Sequence, residues 1–129
     1  ELNIDPEISI LSDAPSIGQG SFLFLFAEYE GVLAGFSSLG ARGKPAEKVA
    51  DEAVEYLKDY MGSDGCVDPH LADQLVPFMA LAKGNPSFTT TQMTDHLFTN
   101  LWVVGHFTER KIQTRGELGR SGRVDFLNE

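Results

Sequence analysis

The amino-acid sequence predicts an α+β fold, and three features of it carry that prediction. The aromatic-rich run Phe22-Leu23-Phe24-Leu25-Phe26-Ala27 and the stretch Val32 to Ser38 flank Glu30-Gly31, a pair suited to a two-residue hairpin turn because glycine tolerates positive φ. The stretch Ala46 to Met61 repeats apolar side chains at helical spacing. Further along, strand-like segments are interspersed with two more helical stretches, so the order from the hairpin onward reads β-β-α-α-β-α-β-β. With 129 residues, 42% of them apolar, the chain can form one compact core and is too short for two complete ordinary domains.

Residues 1 to 20 set Ile4, Ile8 and Ile10 among Pro6, Pro15, Gly18 and Gly20, which predicts a strand and then a loop. Ser21 to Tyr29 and Val32 to Ser38 then form two antiparallel strands. The apolar run within the first is far shorter than the roughly 20 residues of a membrane helix. Beyond the glycine-rich turn Leu39 to Lys44, Pro45 suits a first helical turn, where its missing N–H costs nothing. Val49, Ala53, Val54, Leu57, Tyr60 and Met61 mark the apolar face of the helix that follows, with Glu47, Asp51, Glu52, Glu55 and Lys58 opposite and Gly62 at its end. Asp68-Pro69, an N-cap acceptor and a helix-starting proline, opens a second helix from Pro69 to Lys83. Apolar residues cover most of its circumference, which predicts a largely buried helix, and Pro77 predicts a bend. Gly84-Asn85-Pro86 makes a turn and Ser87 to Gln92 a strand. Thr94 or Asp95 caps a third helix running to about Phe107. Strands near Lys111 to Arg115 and Arg123 to Leu127, joined by Gly116 to Gly122, close the chain.

The net charge of −9 excludes a polyanion-binding surface spread over the whole molecule. Cations concentrate at the end: Arg110, Lys111, Arg115, Arg120 and Arg123 are five of the ten, and there they read as a solvated edge hairpin or, alternatively, as a phosphate contact. Cys66 is the single cysteine, so it forms no internal disulfide, and it has no zinc-type spacing around it. A buried or semi-buried thiol in a reducing cytoplasm is the expectation. Position 1 is Glu without an initiator Met or a leader, which reads as a cut rather than a natural start.

Three histidines are the candidates for chemistry. His96 falls in the first turn of the third helix, where the macrodipole disfavours imidazolium and free N–H groups can hold a phosphate. Nucleophile and phosphate cradle would coincide there, although a capping or surface histidine has the same position. His70, Asp73 and Gln74 stand at i, i+3 and i+4 of the second helix, on one stripe that is either a ligand site or a buried hydrogen-bond network. His106 carries less.

Three segments resemble the C-terminal third of the RNA 3'-terminal phosphate cyclases: Gly35 to Lys44 followed by Pro45-Ala46-Glu47, then Val67 to Ala82, then Asp95-His96-Leu97-Phe98-Thr99-Asn100. The resemblance implies that His96 is the histidine that becomes adenylated. It also implies that His70, Leu71, Ala72, Asp73 and Gln74 match an ATP-contacting segment in which many bacterial members have Tyr at the position of His70. The implied reaction converts an RNA 3'-terminal phosphate to a 2',3'-cyclic phosphate by way of a covalent histidine-AMP. ATP is the cosubstrate, and a divalent metal (Mg or Mn) is expected with ligands mainly outside this chain and none assigned within it. The implied architecture is the C-terminal fragment of a multi-repeat α/β-sandwich protein. Residues 1–64 would be the latter part of an inserted small domain and 65–129 the C-terminal part of the large catalytic domain. Expected partners are RNA 3'-phosphate ends and the N-terminal region of the same protein, in the cytoplasm and without a membrane; the isolated fragment is expected to be inactive. Two alternatives stand beside this: a non-catalytic cyclase-like protein of ribosome assembly, and a folding or oligomerisation module using the Phe22 to Phe26 strand.

Overall fold

The computed structural model describes residues 5–12, 15, 17–29 and 31–128, and within them the predicted element order is found. Strands β1 (Phe22–Tyr29) and β2 (Val32–Leu39) pair antiparallel, with Phe22 opposite Leu39 and Tyr29 opposite Val32. Gly31 takes φ 80° at the turn between them, while its predicted companion Glu30 lies outside the described residues. Alternation along β2 buries Ala34, Phe36 and Ser38 on one face. Helix α1 (Ala46–Met61) covers that face, its Tyr60 ring 5.3 Å from that of Phe36 and 5.8 Å from that of Tyr29. Pro45 sits at the cap position immediately before the helix.

Ser38 is polar and 5% exposed, so it requires a partner. Its hydroxyl donates to Glu52 Oε2 at 2.8 Å. Lys44 Nζ bridges the same carboxylate to Leu39 O, 2.9 Å away, fastening the glycine-rich turn to α1. These hydrogen bonds, from Lys44 first and then Ser38, hold the Glu52 carboxyl below its ordinary value of 4.5.

The second cluster comprises α2 (Pro69–Leu81), β3 (Ser87–Thr90), α3 (Asp95–Gly105), β4 (Lys111–Arg115) and β5 (Gly122–Leu127). Its sheet runs β3-β5-β4, antiparallel throughout. Val124 and Phe126 of β5 are fully buried with Ala72 and Val76 of α2, Leu97 of α3, and Met93. Gly122 and Gly65 make close approaches possible. A Cβ at Gly122 would stand 2.5 Å from Met93 Cγ, and one at Gly65 would stand 2.2 Å from the Thr90 carbonyl carbon. Gly65 thereby lets the segment after α1 lie along β3, where Cys66 N and Val67 N donate to Thr89 O and Thr91 N donates back to Val67 O at 2.9 Å. Tyr60 closes the junction between the clusters, its hydroxyl donating to Cys66 O at 2.6 Å.

Several expectations are corrected. Among the described residues before β1 there is no strand; Ile8 and Ile10 are 77% and 87% exposed with no ladder partner, and Ile4 lies outside the described residues. A strand without a paired edge leaves its N–H and C=O groups to water, and apolar alternation alone does not supply the edge. Helix α2 is not largely buried. Only the stripe Ala72, Val76 and Ala80 is enclosed, against α3 and β3, while Phe78 and Leu81 are exposed. The helix includes Pro77 and stops at Leu81, short of the predicted Lys83. The Cys66 thiol is exposed rather than buried, because its residue lies on the strap beside β3 with its backbone turned to Thr89. The terminal cations are not simply solvated either. Arg110 donates to the carbonyls of Ala82 and Gly84 just past α2, and Arg123 donates to Asp125 Oδ1 at 2.8 Å and Ser87 Oγ at 2.6 Å. No helix among the described residues is long and apolar enough to cross a membrane.

Candidate functional site

Asp68 starts the element that carries the first group of candidates. Its Oδ1 accepts from His70 N at 2.9 Å and Leu71 N at 3.0 Å, and Pro69 occupies the first turn, where no N–H is needed. Because α2 turns by about 100° per residue, the five residues His70 to Gln74 cannot share a face. His70 and Gln74, one turn apart and both exposed, line a cleft together with half-buried Leu71. Ala72 points the other way and is completely buried in the core. Asp73 is half-buried and outside the cleft lining; its backbone carbonyl accepts from Asn100 Nδ2 at 3.3 Å. The alternative reading of this stripe as a buried hydrogen-bond network therefore fails for His70 and Gln74, which face solvent.

The cleft has a volume of about 1110 Å³ and lies between the two clusters. One side is built from β1, β2 and α1, with Phe24, Gly35, Tyr56 and Asp59; the other from the start of α2 and from Thr91, Gln92 and Thr94. Two carboxylates, Asp59 and Asp68, stand in the described lining and no Lys or Arg does. Tyr60, also in the lining, has its hydroxyl pushed above the ordinary 10.0, mainly by burial and secondarily by the neighbouring Tyr29.

Thr94 connects the cleft to His96. Its Oγ1 accepts from Leu97 N at 3.1 Å, capping α3, and it is itself a lining residue. His96 is the second residue of α3 and is exposed, but it does not line the cleft. Among the described residues no acceptor takes the N–H groups of Asp95 and His96, so that end of the helix presents two free donors beside the imidazole. Asn100 is one turn beyond His96 and ties α3 to α2 through Asp73 O. No spacing within the sequence signalled this long-range contact. The cleft residues of the first cluster carried no such signal either, since they come from distant parts of the chain. His106 is on the far end of α3, with Nδ1 2.7 Å from Trp102 O, away from the cleft. Among the described residues no three His, Cys, Asp or Glu side chains stand together to hold a metal.

The family model described as RNA 3'-terminal phosphate cyclase matches residues 4–114. Curated relatives of that name are similar along the chain. The protein from Thermococcus onnurineus is 42% identical over 123 residues, which cover 95% of this chain and 34% of the relative. Those from Pyrococcus abyssi and Methanopyrus kandleri are 40% and 39% identical, covering 87% and 100% of this chain and 32% and 38% of the relatives. The chain thus spans about a third of the length of the curated relatives it matches.

Proposed function

The chain belongs to the RNA 3'-terminal phosphate cyclase family, and from that premise we propose that it supplies the nucleophile and one wall of the ATP site of such an enzyme. The rest of the active site would come from the other two thirds of the protein, the N-terminal region with which this chain would act. The observation that carries the reading is the meeting of α2 and α3. His70 and Gln74 line the same cleft as Thr94, the cap of the helix whose second residue is His96.

In this reading His70 stacks on adenine, Leu71 packs against it and Gln74 offers its amide to a polar edge. Ala72 contributes only through the core, and Asp73 acts through the helix contact to Asn100. Neutral His96 attacks the α-phosphorus of ATP through Nε2; an N–P bond forms, the bond to the bridging oxygen breaks and pyrophosphate leaves. The free N–H groups of Asp95 and His96 would hold an α-phosphate oxygen. An oxygen of the RNA 3'-phosphate then takes the AMP from His96, breaking the N–P bond. The adjacent 2'-hydroxyl attacks the 3'-phosphorus, AMP departs, and the 2',3'-cyclic phosphate closes. A cleft whose described lining has two carboxylates and no Lys or Arg leaves triphosphate charge to be offset elsewhere. A divalent metal, with ligands mainly outside this chain, and cationic groups of the N-terminal region would supply that countercharge.

Gln74→Ala, in the intact protein, tests the placement. Labelling by α-labelled ATP at subsaturating concentration should fall roughly tenfold, in the range of one lost neutral hydrogen bond. An unchanged ATP dependence would remove α2 from the nucleotide site.

A further inference from the structure

Phe24, Phe36, Tyr56 and Tyr60 of the first cluster all reach the same cleft without a role in the chemistry above, and Phe24 is the one carried on the uncovered face of the hairpin. Phe22, Phe24 and Phe26 project from the face of β1 that α1 leaves uncovered and are 63%, 55% and 61% exposed. Of the three, only Phe24 lines the cleft. Gly35 of β2 is what lets it do so: a Cβ there would stand 2.8 Å from Phe24 Cζ and 2.9 Å from Cε2, so the ring lies across β2 on the bare glycine backbone. The Phe22 ring runs nearly parallel to it, 14° apart in plane with centroids 6.2 Å apart. The Phe24 ring is thereby seated on a strand while remaining 55% exposed and lining the cleft.

We propose that Phe24 is a stacking platform for a nucleobase of the RNA strand just upstream of its 3' end, a subsite that rests on the cyclase reading. Two features select a base rather than the sugar-phosphate backbone. Asp59 stands on the same wall as Phe24 and no Lys or Arg is in the described lining, so this wall disfavours phosphates. An exposed ring lying on a sheet offers its π-face to any base, the means by which sheet-borne aromatics hold single-stranded RNA. The platform stands on the first cluster, across the cleft from His70 and Gln74, so strand and nucleotide occupy opposite walls.

The test uses the intact protein, a short fluorescent RNA with a 3'-phosphate, and the same RNA with abasic sugars at the nucleotides before the terminal one. Binding is read by anisotropy, and AMP transfer to protein is read separately with α-labelled ATP and no RNA. Phe24→Ala should weaken binding of the complete RNA roughly 5- to 150-fold. It should leave AMP labelling at its original level and make little difference with the abasic RNA. Phe24→Tyr should restore binding, Gly35→Ala should weaken it by displacing the ring, and Phe26→Ala should have little effect. Equal losses for Phe24→Ala on complete and abasic RNA, or for Phe24→Ala and Phe26→Ala, would overturn the subsite. A shift in the ATP dependence would assign the ring to adenine instead, and a change in sedimentation on Phe24→Ala would assign the face to protein association. Absence of labelling in the unsubstituted protein would overturn the cyclase reading itself, and with it the subsite.

Discussion

Asp68 and Glu52 do their work through single carboxylates whose effects are measurable. Asp68 accepts from two N–H groups at the start of α2, so Asp68→Ala should destabilise the protein by about 1 kcal/mol, seen as a lower denaturant midpoint at unchanged slope. The cap was legible in the dipeptide Asp68-Pro69 ahead of an apolar run, because an acceptor followed by a residue without an N–H suits a helix start. Glu52 was not legible as a partner of Ser38 and Lys44. Its place on the polar side of α1 marked it for solvent, and only the return of the glycine-rich turn onto the helix brings Lys44 to it. Its folded-state pKa is lowered, so its contribution is fully present above the ordinary 4.5 and is lost as the pH falls through the lower folded value. Glu52→Gln should therefore lower the unfolding midpoint near about pH 7, with the gap from the parent closing in acid. A gap that stays constant through acid would show that the carboxylate contributes nothing through its charge.

At the scale of elements, α2 divides its residues by direction. His70 and Gln74 are one turn apart and line the cleft, whereas Ala72 is fully buried in the core cluster. Ala72→Leu should thus act on folding, costing about 1–3 kcal/mol by overpacking, measured by denaturation alongside ATP labelling per folded molecule. A fully stable Ala72→Leu variant with weakened ATP use would place the residue in the site. The helix and its polar stripe were readable from periodicity. The stripe's exposure was not, because the apolar residues Phe78 and Leu81 on the same helix implied burial all round, and burial depends on which neighbours arrive. The same limit explains Ile8 and Ile10, whose alternation suggested a strand that finds no partner among the described residues.

At the scale of the molecule, the cleft exists because two clusters are held against each other at a short strap. Gly65 allows that strap to lie on Thr90, and Tyr60 pins it through Cys66 O. Gly65→Ala should destabilise the protein by about 1–3 kcal/mol and weaken binding of the 3'-phosphate RNA as the wall formed by β2 and α1 moves from α2. Normal stability and RNA binding would mean that the strap does not set the cleft. The element order was predicted from the chain, since hairpin, caps and periodicity are local signals. A cleft between residues 24 and 94 is not local, and no spacing rule announces it. In the proposed reaction His96, in the first turn of α3, takes AMP from ATP. Incubation of the intact protein with α-labelled ATP, followed by denaturing separation and comparison with His96→Ala, tests this step. A covalent AMP label absent from the folded variant is the expected result; an equal label on His96→Ala would exclude His96 as the nucleophile.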